Sequence, residues 1–167
     1  GRSHGTGTVI DAREGEALLI TCGHLFRESK GQGPVQIELY EAGPQGQRVV
    51  ETVEGRVVSY DLDRDVAFAS FRPTHPVCVA AVAPPRTQIA KGDLAASVGC
   101  NNGEDPTVMA TRITCLDRYQ GFPNIEASGV PVVGRSGGGL FNDDGQIVGV
   151  CIGADYEGNR GLYAGLE

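Results

Sequence analysis

Three stretches of this 167-residue chain carry the side chains of nucleophilic acyl chemistry: a hydroxyl, an imidazole and a carboxylate. Ser136 sits within Gly134-Arg135-Ser136-Gly137-Gly138-Gly139-Leu140. His24 closely follows the apolar run Ala17-Leu18-Leu19-Ile20-Thr21, and Asp61, Asp63 and Asp65 precede a second run ending at Phe71. A serine hydroxyl is a poor nucleophile until a base within hydrogen-bond reach removes its proton. Imidazole suits that task because its unperturbed pKa, about 6.5, lets it take and return a proton near neutrality. A buried carboxylate on the other ring nitrogen fixes the tautomer and stabilises the imidazolium. Each piece alone also has a plain structural reading. A lone histidine is mostly a structural or surface residue, an aspartate heading a strand is often a turn residue, and a glycine run is a flexible turn. A phosphate cradle fails. A Walker loop places Lys directly before the Ser or Thr and opens a helix, whereas Arg135 precedes Ser136 and a strand-and-hairpin pattern follows.

The elements that must position these residues read as strands. Alternation at period two recurs along the chain. It predicts strands over 7–11, 17–21, 35–40, 49–58 (one or two strands) and 65–71, then over 94–98, 108–116, 124–127, 140–141, 146–152 and 161–164. Turns are expected at Ala12–Glu16, at Gly43-Pro44-Gln45-Gly46, and at Asn142-Asp143-Asp144-Gly145, where glycine supplies a positive φ. The two prolines of Ala83-Pro84-Pro85-Arg86-Thr87-Gln88 cannot serve a central strand and mark the best boundary. The pattern is two antiparallel β units, 1–83 and 91–167, joined by a linker at 84–90. No helical period of ten or more residues emerges.

Composition agrees. Glycine numbers 25 and proline 9, aromatics are 6% and tryptophan is absent, which suits many short strands and tight turns. The net charge of −7, without a run of Lys or Arg, argues against nucleic acid as a partner. No apolar stretch approaches the roughly 20 residues of a membrane span. The five cysteines include no C-x-x-C pair, so no metal and no cofactor are expected; an odd count leaves at least one thiol free. Most are expected to act as small buried apolar residues. His4 and His75 read as surface residues.

Taken in order, the motifs resemble the trypsin-like serine protease family, most nearly its bacterial HtrA/DegP-type branch. Gly5-Thr6-Gly7-Thr8-Val9-Ile10-Asp11 is similar to that branch's opening strand, and Leu19-Ile20-Thr21-Cys22-Gly23-His24 to its catalytic-histidine motif. Asp65-Val66-Ala67 resembles the catalytic-aspartate signature, which selects Asp65 over Asp61 and Asp63. Gly92–Gly99 resembles the first strand of the second barrel, and Gly134–Leu140 matches the nucleophile motif. The resemblance implies an all-β fold of two antiparallel six-stranded barrels with the active site in the cleft between them. The first barrel would carry His24 and Asp65; the second would carry Ser136 and an oxyanion hole built from the amides of Gly134 and Ser136. It further implies a polypeptide substrate and a first substrate pocket lined by Val130, Cys151, Ile152 and Gly153, with Gly161 at the back. Backbone atoms of Ile152–Ala154 would pair with the substrate as an added strand.

Several residues depart from the family pattern. Arg135 replaces the acidic residue that receives a cleaved N-terminus in digestive and clotting members, so activation by that ion pair is not expected. Arg135 itself is expected in solvent, with contact to substrate as the alternative. Gly139 stands where proline is common and is expected to loosen the turn. Cys22 and Cys151 are expected near the active site. The uncharged pocket lining predicts cleavage after small or medium apolar residues. Regulatory domains are expected outside these residues. Two rival readings are a catalytically silent or resting module that binds protein, and an esterase or acyl transferase with the same triad.

Overall fold

The computed structural model describes residues 3–166. Eleven strands and a one-turn 3-10 helix follow one another, and no α-helix occurs among the described residues. β1 (Thr8–Arg13) and β2 (Glu16–Thr21) form a hairpin. Its turn is only Glu14-Gly15, both at positive φ (50° and 79°), the backbone that a two-residue hairpin requires. After the 3-10 turn Gly23–Phe26 come β3 (Pro34–Gly43), β4 (Gly46–Asp61) and β5 (Val66–Phe71). The valines of 49–58 belong to one 16-residue strand, kinked by a bulge between Val57 and Ser59. The second unit contains β6 (Leu94–Cys100), β7 (Pro106–Leu116), β8 (Asn124–Ser128), β9 (Gly139–Phe141), β10 (Ile147–Asp155) and β11 (Arg160–Gly165).

The expected pair of six-stranded barrels holds for the second unit only. Strands β6 to β11 close in the order β10-β11-β8-β7-β6-β9, whereas the first unit is a five-stranded sheet, β1-β2-β5-β4-β3, that does not close. The chain after β5 explains the difference. It carries Pro73 and Pro76, bonds Glu51 of β4 through Thr74 and His75, and reaches β1 among the described residues through Ala80 N–H to the Val9 carbonyl, 2.8 Å. A proline-interrupted segment with one ladder bond makes no sixth strand. The same segment then docks on the barrel. Ile147 donates to the Ala81 carbonyl and accepts from Ala83, at 2.8 and 3.0 Å.

Alternation places one apolar core in each unit. Ala17, Leu19, Ile37, Ala69 and Phe71 fill the first, while Ile113, Ile125, Ala127, Leu140, Val148, Cys151 and Tyr163 fill the second. A third cluster joins them: Ile20 and Cys22 beside β2 meet Ile147 and Val150 of β10. Side chains of this size contribute about 1.5–3 kcal/mol each when fully buried. The histidine turn and the nucleophile loop therefore meet over a packed apolar seam.

Candidate active site

His24 is positioned by the chain's exit from β2. The 3-10 turn Gly23–Phe26 starts as soon as the buried strand ends and turns the imidazole towards β5. Asp65 stands in the left-handed region at φ 57°, a backbone that aspartate tolerates better than most residues. There its carboxylate grips His24 twice. Oδ1 accepts the His24 backbone amide at 2.7 Å, and Oδ2 lies 2.8 Å from Nδ1. Asp61 instead accepts the amides of Asp63 and Arg64, at 2.8 and 3.0 Å, as a turn residue, and Asp63 is exposed in that turn. Of the three aspartates, the structure brings Asp65 to the histidine. With Nδ1–H donated to Asp65, Nε2 carries the lone pair of a neutral imidazole, as a general base requires.

Ser136 occupies a loop whose carbonyls from Val132 to Ser136 are all engaged. Val132 O accepts from Arg135 N, Val133 O from Asn102 N, Arg135 O from Gly138 N and Ser136 O from Thr6 N, at 2.6–3.0 Å. Gly134 O accepts from the Thr6 hydroxyl at 2.9 Å. The amides of Gly134 and Ser136 have no acceptor among the described residues. Unpaired donors beside a hydroxyl are what a developing oxyanion needs. Gly134 has φ 96°, and a Cβ there would lie 2.9 Å from the Cys100 oxygen and the Asn102 nitrogen. Gly137, at φ 91°, lies against the Thr21 hydroxyl and the Thr6 carbonyl, so the loop abuts the strand that delivers His24.

Arg135 corrects an expectation. It is 2% exposed, among the most buried large side chains described, and has no carboxylate partner among the described residues. Its guanidinium donates instead to six acceptors on β6, β7 and the loop between them. Nε reaches Ser97 Oγ. Nη1 reaches Gly99 O, Asn101 Oδ1 and Thr107 Oγ1, and Nη2 reaches Ser97 O and Thr107 O, all at 2.6–3.3 Å. A planar fork with five N–H groups suits this cage. Gly139 likewise belongs to a strand and not to a loosened turn: it opens β9, pairing with Val98 and Val150.

The candidate pocket residues lie along one side of the barrel. Cys151, Ile152, Gly153 and Ala154 follow one another on β10, and Gly161 faces Ala154 across the β10–β11 ladder. A Cβ on Gly161 would lie 3.0 Å from Pro131 and Tyr163, and Val130 is half-buried in the loop just before Pro131. Cys151 gives both backbone groups to Gly137 and Gly138. Beyond it β10 pairs with β11 alone, because β9 pairs only up to Val150, so Ile152–Asp155 keep one free edge.

All five cysteines are free thiols. Burial, with the Asp65 charge adding to it, pushes the Cys22 thiol up to about 12; burial pushes Cys151 to about 11. At neutral pH both are thiols, and neither supplies a thiolate nucleophile. Cys22 Sγ is 3.7 Å from His24 Nε2, whereas no hydrogen bond joins Nε2 to Ser136 Oγ. Sequence reasoning missed Thr6, whose hydroxyl also accepts from Cys100 N at 3.0 Å and whose carbonyl accepts from Thr21 Oγ1 at 2.7 Å. Its partners are up to 130 positions away, beyond any local signal. Arg64, next to Asp65, stacks on Phe122 at 4.2 Å and links the β4–β5 and β7–β8 loops.

Comparison with known proteins bears on these features. The profile of the trypsin-like peptidase domain matches residues 5–150. A Do-like protease of Arabidopsis thaliana (Do-like 14) is 28% identical over 165 residues, 91% of this chain and 36% of that protein. The chain thus spans about a third of the length of this curated relative. Among solved structures, the active form of the Rv3671c protease of M. tuberculosis superposes with a TM-score of 0.75 at 24% identity, covering 96% of this chain and 68% of that one. The HtrA-type protease AlgW with a decapeptide gives 0.76 at 20% identity, covering 96% and 47%. At these identities the structural likeness is one of fold.

Proposed function

The chain belongs to the trypsin-like peptidase domain family, and from that premise we propose that it is a serine endopeptidase acting through Ser136, His24 and Asp65. The observation that carries the reading is the combination of the Asp65–His24 pair with a serine loop whose carbonyls from Val132 to Ser136 are bonded while the amides of Gly134 and Ser136 have no acceptor among the described residues. His24 Nε2 takes the Ser136 proton as Oγ attacks the scissile carbonyl. Asp65 holds the tautomer and stabilises the imidazolium, and the amides of Gly134 and Ser136 receive the oxyanion. His24 then returns the proton to the leaving amine, and water hydrolyses the acyl-enzyme by the same route. No metal or cofactor enters these steps. The buried Arg135 cage supports an oxyanion loop held without a cleaved N-terminus.

The substrate lies as an added strand along the free edge of Ile152–Ala154. Its side chain before the scissile bond enters the site of Val130, Cys151, Ile152, Gly153 and Gly161, whose uncharged lining favours small or medium apolar residues. A peptide-library profile dominated by Lys or Arg at that position would overturn the preference. A second reading, a resting or silent protein-binding module, is favoured by one observation: among the described residues Nε2 has a hydrogen-bond contact with Cys22 Sγ and none with Ser136 Oγ. Fluorophosphonate labelling separates the two. Labelling that disappears in Ser136→Ala supports the peptidase, whereas no labelling of the unmodified domain supports the resting module.

A further inference from the structure

We propose that Cys22 and His24 form an inhibitory site for a thiophilic divalent cation such as zinc, bound between Cys22 Sγ and His24 Nε2. Zinc bonds of about 2.3 Å to sulfur and 2.0–2.1 Å to nitrogen, at a tetrahedral angle, set two ligand atoms about 3.6 Å apart. The Sγ–Nε2 separation in the structure is 3.7 Å. Two atoms already at the edge length of a tetrahedron need little rearrangement to share an ion. Cys22, His24 and Asp65 also lie together, each offering one ligand atom within 4.8 Å of the others.

Asp65 plays the outer part of such a site. Its carboxylate accepts from Nδ1 at 2.8 Å and from the His24 amide at 2.7 Å, which fixes the ring and leaves Nε2 as the coordinating atom. A carboxylate behind a ligating histidine both orients the ring and raises its basicity. Its negative charge favours a dication nearby. Cys22 is fully buried and locked into the seam with Ile147 and Val150, whereas the His24 side chain is 29% exposed to the cleft. The ion therefore enters from the cleft, with water in its remaining positions. As the sulfur–metal bond forms, the thiol proton leaves to solvent, and no oxidant or reductant takes part. The spacing is Cys-x-His, outside the C-x-x-C pattern of paired zinc ligands.

Occupancy takes the Nε2 lone pair away from Ser136, so the cation switches off proton transfer. That consequence rests on the peptidase reading; the binding itself does not. Two measurements on the metal-stripped domain keep them apart. The first is titration with cobalt(II), followed by the thiolate-to-metal charge-transfer absorption in the near ultraviolet. The unmodified domain and Cys151→Ala are expected to show the band, while Cys22→Ala and His24→Ala lose it; Cys22→Ser stands in should the cavity in Cys22→Ala unfold the seam. No band in the unmodified domain, or a band retained in the Cys22 variants, overturns the site. The second is peptide hydrolysis titrated with zinc, each variant referred to its own metal-free rate. The inhibition constant is expected to rise at least about tenfold in the Cys22 variants. Equal inhibition with and without Cys22 overturns the proposed inhibition. A domain that hydrolyses no peptide overturns the peptidase reading, and the cobalt series still decides the site.

Discussion

Replacing Arg135 by Met removes a cation and five donors from a cage that has no other cation. Six hydrogen bonds to a charged group, at about 1.5–3 kcal/mol each, would sum to more than a domain's whole stability of about 5–15 kcal/mol, so they do not add. The hydroxyls of Ser97 and Thr107 and the amide of Asn101 can turn towards one another or water. The carbonyls of Ser97, Gly99 and Thr107 cannot. At about 1–1.5 kcal/mol for each stranded carbonyl, Arg135→Met is expected to cost about 3–5 kcal/mol, or roughly 10 °C in Tm for a domain of this size. Hydrophobic replacement is often harmless where both members of a buried ion pair leave together. Here the acceptors include backbone and stay behind. Because the side chain is rooted between Gly134 and Ser136, kcat for a peptide substrate is expected to fall ten- to hundredfold, part of the roughly 100–1,000-fold effect of one oxyanion donor. KM should change less than threefold. Arg135→Lys restores part of both losses, having three donors but no planar fork. Urea unfolding and steady-state kinetics measure the pair of effects. A Met variant within about 1 kcal/mol and twofold in kcat of the parent refutes the reasoning.

Three further outcomes follow from the same geometry. Asp65→Asn loses the acceptor that fixes the His24 tautomer and should lower kcat about 10,000-fold with the fold intact, measured by peptide hydrolysis and circular dichroism. Thr6→Val removes the hydroxyl that bridges Gly134 O and Cys100 N, so stability should fall by about 1–2 kcal/mol and kcat at least about threefold; an unchanged kcat would remove Thr6 from the positioning of the loop. Glu51 is held down at about 2 by the backbone amides of His75 and Thr74 and by their side chains. Since the folded value lies below the ordinary one, this stabilisation is complete above the usual carboxylate range and is lost as pH falls through that range to about 2. Glu51→Gln should flatten the acid-unfolding curve in that window.

Strand positions were legible because residues 2 apart face the same side of a sheet. The alternation of Val35, Ile37 and Leu39 and the runs ending at Thr21 and Phe71 carry that signal locally. The residue types at Ser136, His24 and Asp65, with the motifs around them, were equally readable as one chemistry. What only the tertiary structure decided lies between residues far apart in the chain. Arg135 looks like a solvated loop cation until β6 and β7, some 28 to 38 positions away, supply its acceptors. Thr6 looks like part of an opening strand until it clamps Gly134. The open first sheet follows from the proline-bearing segment after β5, which forms no sixth strand, and the 3.7 Å approach of Cys22 to His24 follows from the 3-10 turn that Cys22 precedes. Sequence therefore determined which side chains are available and which faces they occupy. Hydrogen-bond partners and separations of a few ångströms are properties of the folded backbone, and those decide whether the available groups form a working site.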